Sequence, residues 1–480
     1  MLIAREKEIR ELNRLYDSDS AQLVAVYGRR RVGKTYLVSE VFKDRMTFHH
    51  AGLSPVEIGN GSMLGQQLRH FYNSLRLQGM TGMPCPENWL DAFFELEMFL
   101  QSKDDGSRQV VFLDELPWLD TPRSGFLTAL EGFWNTWGCH RHNLMVIVCG
   151  SATSWVMDKL INNHGGLYNR VTYEIRLAPF SLLECEKFFS SIDVKLSRYD
   201  VTRSYMILGG IPYYLRYFEK GSSLSQNIDR LFFFRDAKLY NEFDRLFDSA
   251  FSNPELMKRI IRTLSTRGSG YTRKELVQEK ELTKSGGTLT EALNALIVSD
   301  FIEKYVPFGK GKREERYRLT DPFCIFYLRF VEGNDFMNPH FWQEEQDSPA
   351  VISWCGFAFE NVCFRHIDQI KAALGISGIS TKQSAFVKRD EAGGVGTQVD
   401  LIIDRKDNVV NLCEIKFLGR NFTVTKDYYR TLLGRKEILS AEIPKKKVIH
   451  NTLITTYGLE YNEYSGIFDS TILLDDLYKW

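Results

Sequence analysis

One octapeptide constrains this chain more than any other stretch. Gly28-Arg29-Arg30-Arg31-Val32-Gly33-Lys34-Thr35 satisfies the pattern GxxxxGK[ST] in full. It follows the apolar run QLVAVY at 22–27 and opens a helical pattern, which is the setting the motif requires. The glycines let backbone N–H groups turn inward around phosphate oxygens. Lys34 is then placed to reach the β- and γ-phosphates of a nucleotide, and the Thr35 hydroxyl to sit on a magnesium ion. Gly28 through Tyr36 are the expected nucleotide-binding residues. Arg29, Arg30 and Arg31 are expected to point outward or towards a partner, since the cradle is backbone. A chance glycine turn is the competing reading, and it leaves the acidic partner downstream unexplained.

That partner is VVFLDE, an apolar run ending at Asp114 and Glu115. It places two acids at the carboxyl end of a strand, where ligands bind in open α/β sheets. Asp114 would hold magnesium through water, and Glu115 would orient or deprotonate the attacking water. A plain strand-end cap is the alternative. Ser151 closes the next apolar run, NLMVIVCGS, and either bonds the γ-phosphate or caps the helix that starts there. Arg170 precedes the run VTYEIRL and reads either as an arginine that stabilises transferred phosphate or as a surface ion pair. Apolar strands at 22–27, 109–114, 143–150 and 171–177, separated by helical patterns, predict a parallel sheet with helices on both faces.

At 480 residues the chain exceeds one core. The expected division is an α/β phosphate-loop ATPase core over 1–178, a helical lid over 179–250, a winged helix over 251–332, a linker over 333–350 and a second α/β domain over 351–480. Lys plus Arg equals Asp plus Glu at 61 each, so nucleic-acid contact would need local basic patches. The loop Lys310, Lys312, Arg313 with Arg316 and Arg318 is one such patch, or else a solvated hairpin. The helix around 288–299 carries no Lys or Arg, which argues against base readout from it. Eight cysteines show no CxxC, and Cys355 and Cys363 read as buried apolar residues. The expectation is a reducing, cytoplasmic setting, with no segment that spans a membrane.

Arg5-Glu6 in IAREKEI, GRRRVGKT, LDELPWL, CGSATSW, LYNRVTYEIRLAPFS and GGIPYYL together resemble the archaeal-type AAA+ ATPases, relatives of the origin-recognition and STAND signalling ATPases. The resemblance covers roughly the first 330 residues. It implies that Arg5 and the Gly210-Ile211-Pro212 turn flank the adenine, Pro212 starting a lid helix with its ring fixed at the first turn. The chain departs from the family pattern at the second lid sensor, for which Arg216 is a weak candidate.

A second constellation lies in QVDLIIDRKDNVVNLCEIKF at 398–417. Side chains alternate faces along a strand, so Glu414 and Lys416 share a face about 7 Å apart. A three-residue loop at 406–408 pairs Arg405 with Val409, and therefore Asp400 with Glu414. Two carboxylates so close repel unless a divalent cation neutralises them, and an adjacent lysine then suits phosphodiester hydrolysis. The spacing D-x(13)-E-x-K resembles the PD-(D/E)XK nucleases of restriction-endonuclease-like fold, with Glu360 matching the extra helical acid of some members. The resemblance implies Mg²⁺ or Mn²⁺ on Glu360, Asp400 and Glu414, with Lys416 catalytic. A surface charge pair on an ordinary sheet is the alternative.

The sequence is thus read as an ATP- and Mg²⁺-dependent ATPase coupled to a nuclease-like domain acting on DNA. A nucleotide-held switch with a non-catalytic C-terminal interaction domain is the second reading, with a protein partner or self-association open.

Overall fold

The computed structural model describes residues 2–54, 62–151, 153–161, 169–282, 286–334, 338–389 and 395–479. Ala152 of CGSATSW and Leu167 and Tyr168 of LYNRVTYEIRLAPFS lie outside them. The chain forms two compact units: Met1–Pro179 with Leu246–Pro254, and Phe180–Arg245 with Glu255–Trp480.

The first unit is built on five strands: β1 (Gln22–Tyr27), β2 (Met46–Ala51), β3 (Gln109–Asp114), β4 (Leu144–Gly150) and β5 (Tyr173–Arg176). They run parallel in the order β2-β3-β4-β1-β5. β1, β3 and β4 are buried at every position, which is why each reads as a continuous apolar run. β2 escaped that reading because its sequence, MTFHHA, breaks the run with His49 and His50. His50 is buried, its Nδ1 lies 2.9 Å from Ser74 Oγ, and burial pushes its pKa down to about 3. Odd positions of β1 (Leu23, Ala25, Tyr27) share one core with Val111, Leu113, Val146 and Val148. Helices α3 (Met63–Leu77), α4 (Trp89–Ser102) and α5 (Phe126–Thr136) cover that face, contributing Phe71, Trp89, Phe93 and Phe126. α1 (Glu6–Tyr16) and α2 (Lys34–Val41) precede them in the chain.

The second unit opens with α6 (Leu182–Ser191), whose N-terminus carries a Ser181/Glu184 capping box, and α7 (Arg198–Leu208). Pro212 begins a one-turn helix, Pro212–Leu215, as a ring-fixed first residue should. Next come α8 (Pro254–Ser265), α9 (Arg273–Gln278) and α10 (Gly286–Val298), with β6 (Tyr271–Thr272), β7 (Ile302–Tyr305) and β8 (Arg316–Leu319) in an antiparallel sheet of order β6-β8-β7. The stretch 333–350, expected as a linker, instead carries α11 (Phe341–Glu345). Trp342 is buried there against Phe326, Phe330 and Trp354, an apolar contact that sequence spacing alone does not announce.

Helix α12 (Pro349–Arg365) leads to a five-stranded mixed sheet. Its strands are β9 (Thr381–Arg389), β10 (Val395–Arg405), β11 (Val409–Lys416), β13 (Val448–Thr455) and β15 (Ser470–Leu473), in the order β15-β13-β11-β10-β9. A short parallel pair, β12 (Phe422–Thr423) and β14 (Leu459–Glu460), stands apart from it. β9, β10 and β11 are antiparallel, whereas β11, β13 and β15 are parallel. The parallel step from β11 to β13 is bridged by α13 (Lys426–Glu442), as parallel pairing requires. His366 ties α6 to α12: its Nε2 accepts from Leu182 N at 3.1 Å, and its Nδ1 lies 2.8 Å from Val362 O. Burial lowers its pKa to about 4, which keeps the ring neutral for both contacts.

Among the described residues no helix is long and apolar enough to cross a membrane, and none of the eight cysteines is joined in a disulfide.

Candidate functional site

The loop between β1 and α2 is set by its glycines. Gly28 has φ 143°, and a Cβ there would stand 2.3 Å from Leu177 O. Gly33, at φ 92°, is the residue before α2. A side chain at either would be strained, so the backbone takes a turn closed to other residues. Within it the Lys34 ammonium donates to Gly28 O at 2.9 Å and Arg29 O at 3.1 Å. Arg5, itself at φ 67°, donates to Val32 O at 3.2 Å and Ala178 O at 2.7 Å, pinning the far side of the loop.

The acids stand at the strand ends as expected. Thr35 Oγ1 donates to Asp114 Oδ2 at 2.7 Å, and Asp114 Oδ1 accepts from Glu115 N at 2.9 Å. Asp114 is buried at the end of β3, with β4 between β3 and the loop-bearing β1. Glu115 takes a left-handed backbone, φ 49°. One of its oxygens, Oε2, accepts from Ser151 Oγ at 2.9 Å and Ser151 N at 3.2 Å. Ser151 thereby gives its hydroxyl proton to Glu115. Burial, with the Asp114 charge beside it, raises the Cys149 thiol well above its usual range.

The arginines differ from expectation. Arg29 is buried rather than outward, at 2% exposure. Arg30 and Arg31 are half-buried, and Arg30 Nη1 reaches Ser249 O at 3.4 Å. Tyr36 is exposed on α2. Arg170 is exposed and makes no hydrogen bond or ion pair among the described residues. Pro212 belongs to the second unit, where Phe180 N donates to Gly210 O at 2.8 Å and Arg216 lies over the Tyr213 and Tyr217 rings.

These residues define a phosphate-loop nucleotide site of ATPase type. Residues 2–218 match a family described as "ATPase domain predominantly from Archaea", and this part of the chain is an ATPase domain of that archaeal type. Over nearly its whole length the chain is similar to an uncharacterised protein of Methanocaldococcus jannaschii, at 24% identity over 450 residues, 92% of this chain and 93% of that one. A stretch of 45 residues, 9% of this chain, is 38% identical to an uncharacterised ATP-binding protein of the same organism and covers 76% of it. Among solved structures, the Walker-type ATPase of Pyrococcus abyssi aligns at 18% identity over 68% of this chain and 96% of that one, with a TM-score of 0.45. The Aeropyrum pernix ORC2 protein aligns at 14% identity over 68% and 93%, with a TM-score of 0.40.

The donor set of the phosphate loop fits magnesium. A hydroxyl and a buried carboxylate from two elements meet at 2.7 Å, both hard oxygen ligands.

The second constellation is in the C-terminal sheet. The register Leu401↔Cys413 and Asp404↔Val410 is the expected one, and continued by one residue it sets Asp400 opposite Glu414. A β-bulge between Val399 and Ile402 places two residues of β10, Asp400 and Leu401, against one of β9. Glu414 is 2% exposed and already compensated. Its Oε1 meets Lys416 Nζ at 2.7 Å and the Tyr428 hydroxyl, and its Oε2 meets Arg435 Nη1 at 2.6 Å. Burial, then the Glu414 charge, raises the Asp400 carboxyl above the usual aspartate range. Burial, then Asp400, does the same for Glu360. Burial pulls the Lys416 ammonium down, but the Glu414 charge outweighs it and holds it above the usual lysine range.

Among the described residues no group of three or more His, Cys, Asp or Glu side chains is arranged to hold a metal ion. Glu360, Asp400 and Glu414 therefore do not fit a divalent cation as they stand, because both Glu414 oxygens are engaged by cations and a hydroxyl. Neither Arg435 nor Tyr428 belongs to the spacing D-x(13)-E-x-K. Their signal is the spacing Tyr428, Leu432, Arg435, Leu439 on α13, which sets two polar groups on the face that buries both leucines.

Arg316 and Arg318, expected in an exposed basic finger, turn inward. Arg316 donates to Gly270 O at 3.0 Å, and Arg318 pairs with Glu303. Lys310, Lys312 and Arg313 are exposed. The same loop is anchored by Phe308, whose N donates to Ala385 O at 3.0 Å and whose ring lies 6.2 Å from Phe386.

Proposed function

We propose that the chain binds and hydrolyses ATP at the phosphate loop. The observation that carries this is the Thr35–Asp114 contact at 2.7 Å beside a glutamate anchored by Ser151. Backbone N–H groups of 28–33 would hold the phosphates, and Lys34 would exchange its two carbonyl partners for phosphate oxygens. A magnesium ion on Thr35 and Asp114 would neutralise phosphate charge. Glu115, with one oxygen fixed by Ser151, would use the other to orient the water and take its proton. Arg5 would bound the adenine, and Arg170 would supply positive charge to the transferred phosphate. Lys34→Ala is expected to weaken ATP binding at least about tenfold, or 1.4 kcal/mol, by calorimetry. Glu115→Gln should keep binding and lose turnover by about 10² or more. ATP binding by Lys34→Ala as tight as by the parent overturns the reading.

For the C-terminal domain the compensated Glu414 favours a switch, with nucleotide state controlling a domain that binds without cutting. A second reading, divalent-cation-dependent cleavage of DNA by a PD-(D/E)XK-like domain, is favoured by Asp400 standing opposite Glu414 with Lys416 on the same face. Linear, nicked and branched DNA incubated with Mg²⁺ or Mn²⁺ and ATP separates them. Cleavage that disappears in Asp400→Ala supports the second; intact DNA of every form supports the first.

A further inference from the structure

A pocket of about 390 Å³ opens within the second unit, where β7 and β8, α12 and β9 meet. Nothing in the ATPase site uses it. Its lining includes Lys304, Tyr305, Arg318, Asn361, Arg365 and Ser384. Asn361 is 5% exposed, yet its Nδ2 has no hydrogen-bond partner, and the buried Nε of Arg365 has none either. Both are pure donors, and leaving a buried donor unsatisfied costs about 1–3 kcal/mol. An acceptor-rich ligand would remove that cost. The lining charges also allow an anion. Arg318 is matched to Glu303, and Lys304 Nζ meets Glu315 at 3.4 Å in a partly exposed pair that a phosphate can displace; the Arg365 guanidinium, its Nη2 on Thr320 O at 3.2 Å, keeps Nε for a ligand, with Asp300 also in the lining. The Arg318 guanidinium is held 5.0 Å from the Tyr305 ring centroid and 4.3 Å from that of Phe364, giving a flat wall suited to a ring system.

We infer that this pocket binds a nucleoside monophosphate unit, with the phosphate on Lys304 and Arg365 and the Asn361 amide donating to an acceptor on the sugar or base. The volume suits one small ligand and excludes a duplex. The unit comes either from a free nucleotide or from the 5′-phosphorylated end of a strand, which share this chemistry. The inference is independent of the phosphate-loop reading, because no residue is shared.

The test uses the full chain saturated with ADP and Mg²⁺, and Lys34→Ala in parallel, so that binding at the phosphate loop is separated from binding here. AMP, CMP and a 5′-phosphorylated single-stranded hexamer are titrated by calorimetry. Saturable binding of a mononucleotide supports a free ligand; binding of the hexamer alone supports a strand end. Either should weaken about tenfold in Asn361→Leu. Lys304→Ala, at an exposed position, should weaken it several-fold with the melting temperature unchanged, which separates ligand loss from misfolding. No saturable binding of any of the three probes overturns the inference, as does binding that both variants leave unchanged.

Discussion

Glu414, buried, and Glu360, half-buried, show how differently two carboxyls can be treated in one domain. Glu414 is met by an ammonium, a guanidinium and a phenol, so its charge is stabilised where it lies. Glu360 has burial and Asp400 against it, and its pKa rises. Between the ordinary glutamate value and the raised one, the folded state therefore holds more protons than the unfolded, and stability falls as pH rises through that window. Glu360→Gln has no charge to bury. It should melt higher than the parent at about pH 8.5 in a chelator, by on the order of 2 kcal/mol, with the gain nearly gone at about pH 5. A gain of equal size at both pH values would show that the carboxyl titrates normally. At this scale the sequence was informative where a motif fixes geometry. Gly28, Lys34, Thr35 and Asp114 meet as their spacing implies. It was silent on Ser151 holding Glu115, since two strand ends become neighbours only through the sheet order.

The C-terminal hairpin and α13 form one electrostatic element. The hairpin register was legible because side-chain period and loop length together allow one solution. The helix laid across it was not, because a helical face announces burial without naming its partner. Arg435→Ala would strip the guanidinium from a carboxylate that is 2% exposed, and breaking such a pair costs up to about 3–5 kcal/mol. The arginine is itself partly exposed, at 22%, so about 2 kcal/mol is the expected loss in denaturant unfolding. Adding Glu414→Gln should recover part of it. A double variant no more stable than Arg435→Ala would show that the arginine acts through packing alone.

On the scale of the molecule, the stretch matching the archaeal ATPase family ends at 218, whereas the first compact unit leaves the chain at Pro179 and regains it at 246–254. Nothing in composition signals that nine later residues return. Residues 180–218 are completed inside the second unit: Tyr214 donates to Glu242 at 2.8 Å and its ring lies tilted 5.2 Å from that of Phe323, and Leu182 N reaches His366. A 1–218 fragment would expose these surfaces. It should be recovered mainly as aggregate, or melt more than about 10 °C below the full chain. A monomeric fragment with the parent's melting temperature would contradict that division.

The anchoring of Phe308 has a mechanical corollary. Ala385 is the β9 residue that faces the two-residue bulge of β10, and its carbonyl accepts from Phe308 N in the loop between β7 and β8. A tug on that loop is thereby delivered one residue away from Asp400, through a peptide group rather than through solvent. Whatever load the three exposed bases Lys310, Lys312 and Arg313 take up, the strand beneath the acid feels it directly.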